Sequence, residues 1–388
     1  MPIASPDDLQ ALLRLIDAAG AAAPRRALLE THPGPAAALA AGPPAWHAAG
    51  LSPAQIERLR APPSAALDRA FDWLQAPTHH LLGWHDPDYP ALLRRAPHPP
   101  LALFVAGEPG LLWHPAVAVV GSRSPTPGGR DNAADFARAL ARSGLAVSSG
   151  LAAGIDTAAH CAALDAGGLT VAVLGTGPDL AYPRSNADLH ARIAAAGAVV
   201  SEHLPGTQAR PEHFPSRNRI LAGLSLATLV IEAAERSGAL ITARLAAESG
   251  REVFAVPGSI HNPLARGCHR LIREGAGLVE SAAEVAAALA PLAAELAADL
   301  RRRLAAPIPG GHAGVTDAGQ DPGGAAADSE FADPDYQRLW QALGHDPTGM
   351  DLLVQRTGLT AAELSSMLLV MELEGRVSAQ HGRYFRNR

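Results

Sequence analysis

The residues best equipped for chemistry lie in Phe214-Pro215-Ser216-Arg217-Asn218-Arg219-Ile220-Leu221-Ala222-Gly223-Leu224-Ser225. Two guanidinium groups and an amide stand beside an aromatic ring, ahead of an apolar run. Planar guanidinium forks suit phosphate oxygens, and burying Arg217 and Arg219 unpaired beside Ile220 and Leu221 would be costly. The segment therefore reads as a turn at the rim of a site, leading into a helix, with both arginines facing a ligand or an acidic partner. The alternative is an internal pairing of Arg217 or Arg219 with Glu202, Glu212 or Glu232.

Three polar loops upstream share this character: Gly121-Ser122-Arg123-Ser124-Pro125, Ser149-Gly150-Leu151-Ala152-Ala153-Gly154-Ile155-Asp156, and Gly175-Thr176-Gly177. Glycines let backbone N–H groups approach an anion, and a helix start after such a loop adds a favourable partial charge. None of the loops matches GxGxxG with its distal acid, or GxxxxGK[ST]. Several such loops speak for phosphate without specifying a nucleotide.

Catalysis finds less support. His160-Cys161 follows Asp156, but neighbours on a helix diverge by about 100°, so the two cannot address one carbonyl, and a buried thiol and a core or capping histidine are expected. Glu202 and Glu232 could form a carboxylate pair for glycosidic chemistry, although nothing in the sequence sets their separation. His79, His80, His85 and His98 have no common metal-site spacing. No metal and no cofactor are expected.

The elements that must position these residues follow from pattern. Short apolar, β-branched runs occur at 117–120, 145–148, 170–174, 198–201, 226–231, 252–256 and 277–279, with helical segments between them such as 131–142, 187–196 and 237–249. Continuous apolar strands alternating with helices specify an α/β fold, a parallel sheet covered on both faces. Ligands of such sheets bind outside the carboxyl ends of the strands, where the polar loops fall.

Residues 1–75 read as a small helical, SAM-like domain, with Leu9, Leu12, Leu13 and Ile16 on one face. The sheet domain spans 76–295; within it 78–115 is a lead-in, with turn chemistry at 84–90 and a short strand at 101–105. Residues 296–330 read as a flexible linker. Residues 331–388 have a winged-helix pattern, with Thr360-Ala361-Ala362-Glu363 as a capping box opening the third helix and Gly375 closing it. That helix carries Glu363, Ser365, Ser366, Glu372 and Glu374, which repel phosphate, so protein docking or a structural role fits better than duplex reading. Arg376 and Arg383 in the wing leave a DNA contact open.

Composition bounds these readings. The 388 residues are 48% hydrophobic but only 4% aromatic, so the core is built from Ala, Leu, Val and Ile. No lysine occurs, and all 32 basic residues are arginine, as a GC-rich genome would supply. A net charge of -6 argues against a generally adhesive nucleic-acid binder, so phosphate binding must come from a local arginine cluster. Cys161 and Cys268 form neither a disulfide framework nor a metal spacing, which fits a reducing compartment. With no secretory signal pattern and no apolar run of about 18 residues, a cytoplasmic protein without membrane contact is expected.

At this point the motifs resemble those of the DNA-processing protein DprA (Smf) family. The resemblance rests on Val119-Val120-Gly121-Ser122-Arg123, the 149–156 loop with Ala159-His160, and Val173-Leu174-Gly175-Thr176-Gly177 with Tyr182-Pro183-Arg184-Ser185-Asn186. It extends through Ser201-Glu202, the 214–225 segment, Ser237-Gly238-Ala239-Leu240-Ile241-Thr242-Ala243 and 250–258. It implies an extended Rossmann-like domain that self-associates as a homodimer, binds incoming single-stranded DNA in natural transformation and loads the RecA recombinase on it, with no established catalytic activity. It also implies DNA-binding positions at Arg123 and Arg184. With the residues read above, the expected DNA-binding set is Gly121, Ser122, Arg123, Gly175, Gly177, Tyr182, Arg184, Asn186, Phe214, Arg217, Asn218 and Arg219.

One departure is Gly267-Cys268-His269, where the family usually has Gly-x-Asn. His269 can mimic only part of an amide's hydrogen bonding, so a rearranged loop after Pro257-Gly258 is expected. The competing enzyme reading, a phosphoribohydrolase on a similar sheet, needs a Pro-Gly-Gly-x-Gly-Thr loop. The corresponding stretch here is Glu232-Ala233-Ala234-Glu235-Arg236-Ser237-Gly238-Ala239.

Overall fold

The computed structural model describes residues 5–305 and, beyond them, residues 336, 339–340, 343, 348–359, 364, 367–368, 371, 376–380 and 383–386. The chain divides into two compact units, Met1–Ile308 and Pro309–Arg388.

In the first unit a nine-stranded sheet has the spatial order β1 (His79–Gly83), β2 (Ala102–Gly107), β6 (Ala198–Ser201), β5 (Thr170–Val173), β4 (Ala146–Ser149), β3 (Ala116–Val120), β7 (Ala227–Val230), β8 (Glu252–Ala255) and β9 (Gly277–Leu278). Strands β3 to β9 pair in parallel. Strands β1 and β2, and β2 and β6, pair antiparallel.

Alternation along β3 shows why the runs are continuously apolar. Val117 and Val119 enter one core with α8 (Pro127–Arg142), α9 (Ile155–Asp165) and α14 (Ala282–Ala305). Ala118 and Val120 enter the other, with α11 (His213–Leu224) and α12 (Gly238–Glu248). Each fully buried valine contributes about 1.5–3 kcal/mol, so neither face tolerates a polar residue at these positions. After β3 the chain lays β4 to β6 on one side and β7 to β9 on the other. The strand order thus reverses at β3 and β7, and a crevice opens at their carboxyl ends.

Helices α1 (Pro6–Asp17) to α6 (Ala65–Trp73) cover the antiparallel end of the sheet. Leu12, Leu28, Trp46 and Ile56 share one core with Leu81, Ala102 and Phe104 of β1 and β2. Packing is continuous across the expected boundary at 75/76. Within the segment read as a lead-in, the strand expected at 101–105 is β2 and the turn chemistry at 84–90 follows β1, a strand of the sheet that the sequence pattern does not predict. A second correction concerns the linker: α14 runs to Ala305, past the expected start at 296.

In the second unit, strands Thr348–Gly349, Arg383–Arg386 and Val377–Gln380 form a three-stranded antiparallel sheet. Leu364, Met367, Leu368 and Met371, at helical spacing, are buried with Leu339, Leu343, Leu353 and Val377. The capping box at 360–363, Gly375 and the polar positions Ser365, Ser366, Glu372 and Glu374 lie outside the described residues.

Candidate nucleic-acid interface

The loop after β3 is held from below by one carboxylate. Thr126 caps α8, its hydroxyl accepting from Gly129 N–H at 3.0 Å and donating to Glu232 Oε1 at 2.6 Å. Its N–H donates to Glu232 Oε2 at 2.9 Å, and Asn262 Nδ2 donates to Glu232 Oε1 at 3.1 Å. Glu232, at the end of β7, thereby ties together the loops after β3 and β8. Within the loop, Ser122 Oγ accepts from Ser124 N–H, and Ser122 O accepts from Ile155 N–H.

The loop after β4 folds back on the start of α9. Gly150 and Ala152 donate their N–H groups to Asp156 Oδ2 at 3.0 and 3.2 Å. Gly154 sits at φ 85°, and a Cβ there would lie 2.4 Å from Ser122 O, so only glycine lets the two loops close on each other.

Arg217 overturns the rim expectation. The segment from His213 is helix rather than turn, and Arg217 is 5% exposed. It donates to Gly150 O at 2.6 Å, to Val173 O, and through Nε to Asn218 Oδ1 at 3.1 Å. A Cβ at Gly150 would lie 2.5 Å from Arg217 Nη2. Burial lowers the Arg217 pKa to about 10, with the Asp156 charge pulling it up and Arg123 pushing it further down. Burial raises the Asp156 carboxyl, against the pull of Arg217 and the two backbone N–H groups. Arg217 is a buried brace for the ends of β4 and β5.

Arg219 realises the internal pairing instead, bonding to Glu202. Two residues along a helix are about 200° apart, so Arg219 leaves α11 on the side away from Arg217. Glu202 is thus held by Arg219 and Glu232 by Thr126 and Asn262, with no hydrogen-bond partner in common among the described residues. Asn186 is corrected as well: 7% exposed, its amide donates to Leu151 O at 3.0 Å and Thr157 Oγ1 at 2.9 Å. Gly177 donates its N–H to Thr207 O, and Gly175 lies under Phe214 with its carbonyl bonded to His213 Nδ1. Gly175, Gly177 and Asn186 shape the loops and lie outside the cleft lining, whereas Arg217 and Asp156 form part of its buried floor.

What the structure does bring together is Arg123, Phe214 and Tyr182. The Arg123 guanidinium lies over the Phe214 ring at 5.6 Å, and the Tyr182 ring, 45% exposed, is 5.2 Å from Phe214 with a tilt of 40°. Among the described residues no carboxylate pairs with Arg123. The three line a cleft of about 650 Å³ that also includes Gly121, Asn218 and the start of α12. Arg184 is exposed on the Tyr182 loop, outside the cleft lining.

The reading from sequence left Ser237 to Thr242 out of the site. Ser237 caps α12 and accepts from Ala239 N–H, so the positive end of that helix faces the cleft. The signal was present as Ser-Gly ahead of an apolar helix. His269, whose place in the motif predicts a rearranged loop after Pro257-Gly258, bonds to that loop: its Nε2 lies 2.9 Å from Gly258 O. The arrangement offers a fixed cation, a stacking surface and a helix start, which suits an anionic, ring-bearing polymer or nucleotide.

A family model for DNA recombination-mediator protein A matches residues 80–290, and one for the DprA winged helix domain matches residues 323–383. Protein Smf of Escherichia coli strain K12 is 38% identical over 351 residues, covering 87% of this chain and 86% of the relative. DNA processing protein DprA of Streptococcus pneumoniae is 49% identical over 202 residues, 52% of this chain and 71% of the relative. The X-ray structure of DprA from Streptococcus pneumoniae superposes with a TM-score of 0.65 at 38% identity, covering 74% of this chain and 98% of that one. A structure of DNA processing protein A from Helicobacter pylori, describing its single-stranded DNA binding mode, gives a TM-score of 0.50 at 27% identity, covering 55% and 96%. With the family model spanning the sheet and the Escherichia coli relative aligned over most of both chains, this protein belongs to the DNA recombination-mediator protein A family, also called DprA or Smf.

Proposed function

We propose that the chain binds single-stranded DNA in the cleft at the β3/β7 crossover and delivers it to the RecA recombinase during natural transformation. The observation that carries the reading is Arg123, without a carboxylate partner among the described residues, stacked on Phe214 beside the exposed Tyr182. Phosphate pairing combined with base stacking is how single strands are held without sequence preference. Arg184, on the Tyr182 loop, extends the basic track. The winged helix serves protein docking or structure in this reading.

The protein acts as a binding protein rather than an enzyme. Both oxygens of Glu232 are engaged by Thr126 and Asn262, which favours a structural over a catalytic carboxylate. Assembly is as a homodimer through the sheet domain. Among the described residues the terminal strand β9 pairs only with β8, and its Leu278 is 49% exposed, an apolar edge that needs covering. The site of action is the cytoplasm; no helix among the described residues is long and apolar enough to cross a membrane.

The test is titration of fluorescent poly-dT and of a matched duplex at several salt concentrations. Strong single-strand preference is expected, with a log–log salt slope that falls by about 0.7 per phosphate contact removed. Equal or tighter duplex binding contradicts the reading, and turnover of a nucleotide that vanishes in Glu232→Gln favours the enzyme.

A further inference from the structure

The same helix that walls the cleft with Phe214 and Asn218 presents Arg219 to a second groove, of about 660 Å³, between the N-terminal helices and the end of β6. We propose that this groove is a separate phosphate-binding site, taking a nucleotide or the sugar-phosphate backbone of a nucleic acid.

Positive charge is left over in the groove after internal pairing. Arg219 is matched by Glu202, and Arg58, 58% exposed, meets Asp17 at 3.4 Å. Arg25, 5% exposed, donates to Leu15 O at 2.7 Å and Gly20 O at 2.8 Å. Arg26 donates to Pro99 O and lies over the Trp84 ring. Carbonyls and a ring satisfy N–H groups but cancel no charge. Arg210 is exposed on the opposite wall, with no carboxylate partner among the described residues. Arg25, Arg26 and Arg210 thus line one concave surface with no salt bridge among the described residues, Glu202 acting on Arg25 and Glu30 on Arg26 only at longer range.

The neighbours register that field. Burial lowers Arg25 to about 10, with Glu202 opposing and Arg26 adding to the shift. His203 stacks on His213 at 4.1 Å, and its buried Nε2 meets no hydrogen-bond partner among the described residues. Burial, then His213, Arg219 and Arg210, hold its pKa near 4. Low-dielectric walls lined by one sign of charge concentrate counter-ions, and several guanidinium forks around one space match phosphate geometry.

The site is distinct from the cleft, so the two can be tested apart in the full-length chain. Wild type, Arg58→Glu/Arg210→Glu and Arg123→Glu/Arg184→Glu are titrated with ADP and with a dT oligomer, Arg138→Glu serving as the control for net charge. Imidazole NMR follows His203. The expected result is a roughly tenfold or greater loss of affinity for at least one probe in Arg58→Glu/Arg210→Glu, with Arg138→Glu unchanged. That probe should raise the His203 pKa in wild type and in Arg123→Glu/Arg184→Glu. Loss for ADP alone identifies free nucleotide as the ligand, and loss for the oligomer alone identifies the polymer backbone. Should the charge-reversed pair misfold by circular dichroism, Arg58→Gln/Arg210→Gln replaces it. Wild-type affinity for both probes in the folded variant, or no movement of His203 with either, overturns the proposal whatever Arg123→Glu/Arg184→Glu shows.

Discussion

Replacing Arg217 with methionine separates a brace from a DNA contact. The substitution keeps much of the apolar stem but removes the donors to Gly150 O and Val173 O and the cation facing Asp156. Leaving the two buried carbonyls without a donor costs about 1–3 kcal/mol each, roughly 2–6 kcal/mol together, and Asp156 also loses the nearby positive charge that opposes its rise. The Asp156 carboxyl, already raised by burial, should rise further and take up a proton, which limits the loss to the lower part of that range. In a domain of this size the melting temperature should fall on the order of 10 °C. The assay is thermal and urea unfolding of Arg217→Met beside Arg123→Glu, with single-strand binding measured well below both midpoints. Arg217→Met should be strongly destabilised, and Arg123→Glu should unfold like wild type yet bind poorly. If Arg217→Met melts like wild type and has lost DNA binding, the guanidinium touches DNA directly and the brace is wrong.

Further outcomes follow from the same contacts. Gly150→Ala forces a methyl to 2.5 Å from Arg217 Nη2 and should cost about 1–3 kcal/mol by overpacking, read from the urea midpoint. Phe214→Ala removes the surface shared by Arg123 and Tyr182; dT affinity should fall by about 1–3 kcal/mol per base unstacked, against little change for a duplex. His160 is fully buried and its pKa is lowered to about 3 by burial. The unfolded chain therefore binds a proton there below about pH 6.5 that the native chain refuses. Stability should be unaffected by this group above that pH and decline as pH falls towards 3. His160→Leu should flatten the decline by up to about 1.4 kcal/mol per pH unit, measured by urea unfolding from pH 7 to 4; an unchanged slope refutes it.

The fold was legible where one pattern dominated. Strands such as Ala116–Val120 are apolar without interruption because both faces are buried, and the helices between them leave a parallel sheet as the solution. Strand β1 was not legible: His-His-Leu-Leu-Gly has no β-branched residue, and it pairs only because β2 offers an antiparallel edge covered by the N-terminal helices. In the cleft, the structure brings Arg123, a position the resemblance supplied, together with Phe214 and Tyr182, the ring residues read as its neighbours. Arg217 and Asn186 were misread because a polar side chain that satisfies buried carbonyls looks the same in sequence as one that meets a ligand. The divergence of Arg217 and Arg219 depends on helical phase, which reading the segment as a turn concealed.

The most direct measurement compares two double variants against a dT oligomer, with circular dichroism and light scattering as controls for fold and assembly. Arg123→Glu/Arg184→Glu should abolish single-strand binding while leaving fold and oligomeric state intact, and Arg376→Glu/Arg383→Glu in the winged helix should weaken it far less. Wild-type binding by Arg123→Glu/Arg184→Glu together with loss in Arg376→Glu/Arg383→Glu would place the DNA on the C-terminal unit and contradict the assignment of the cleft.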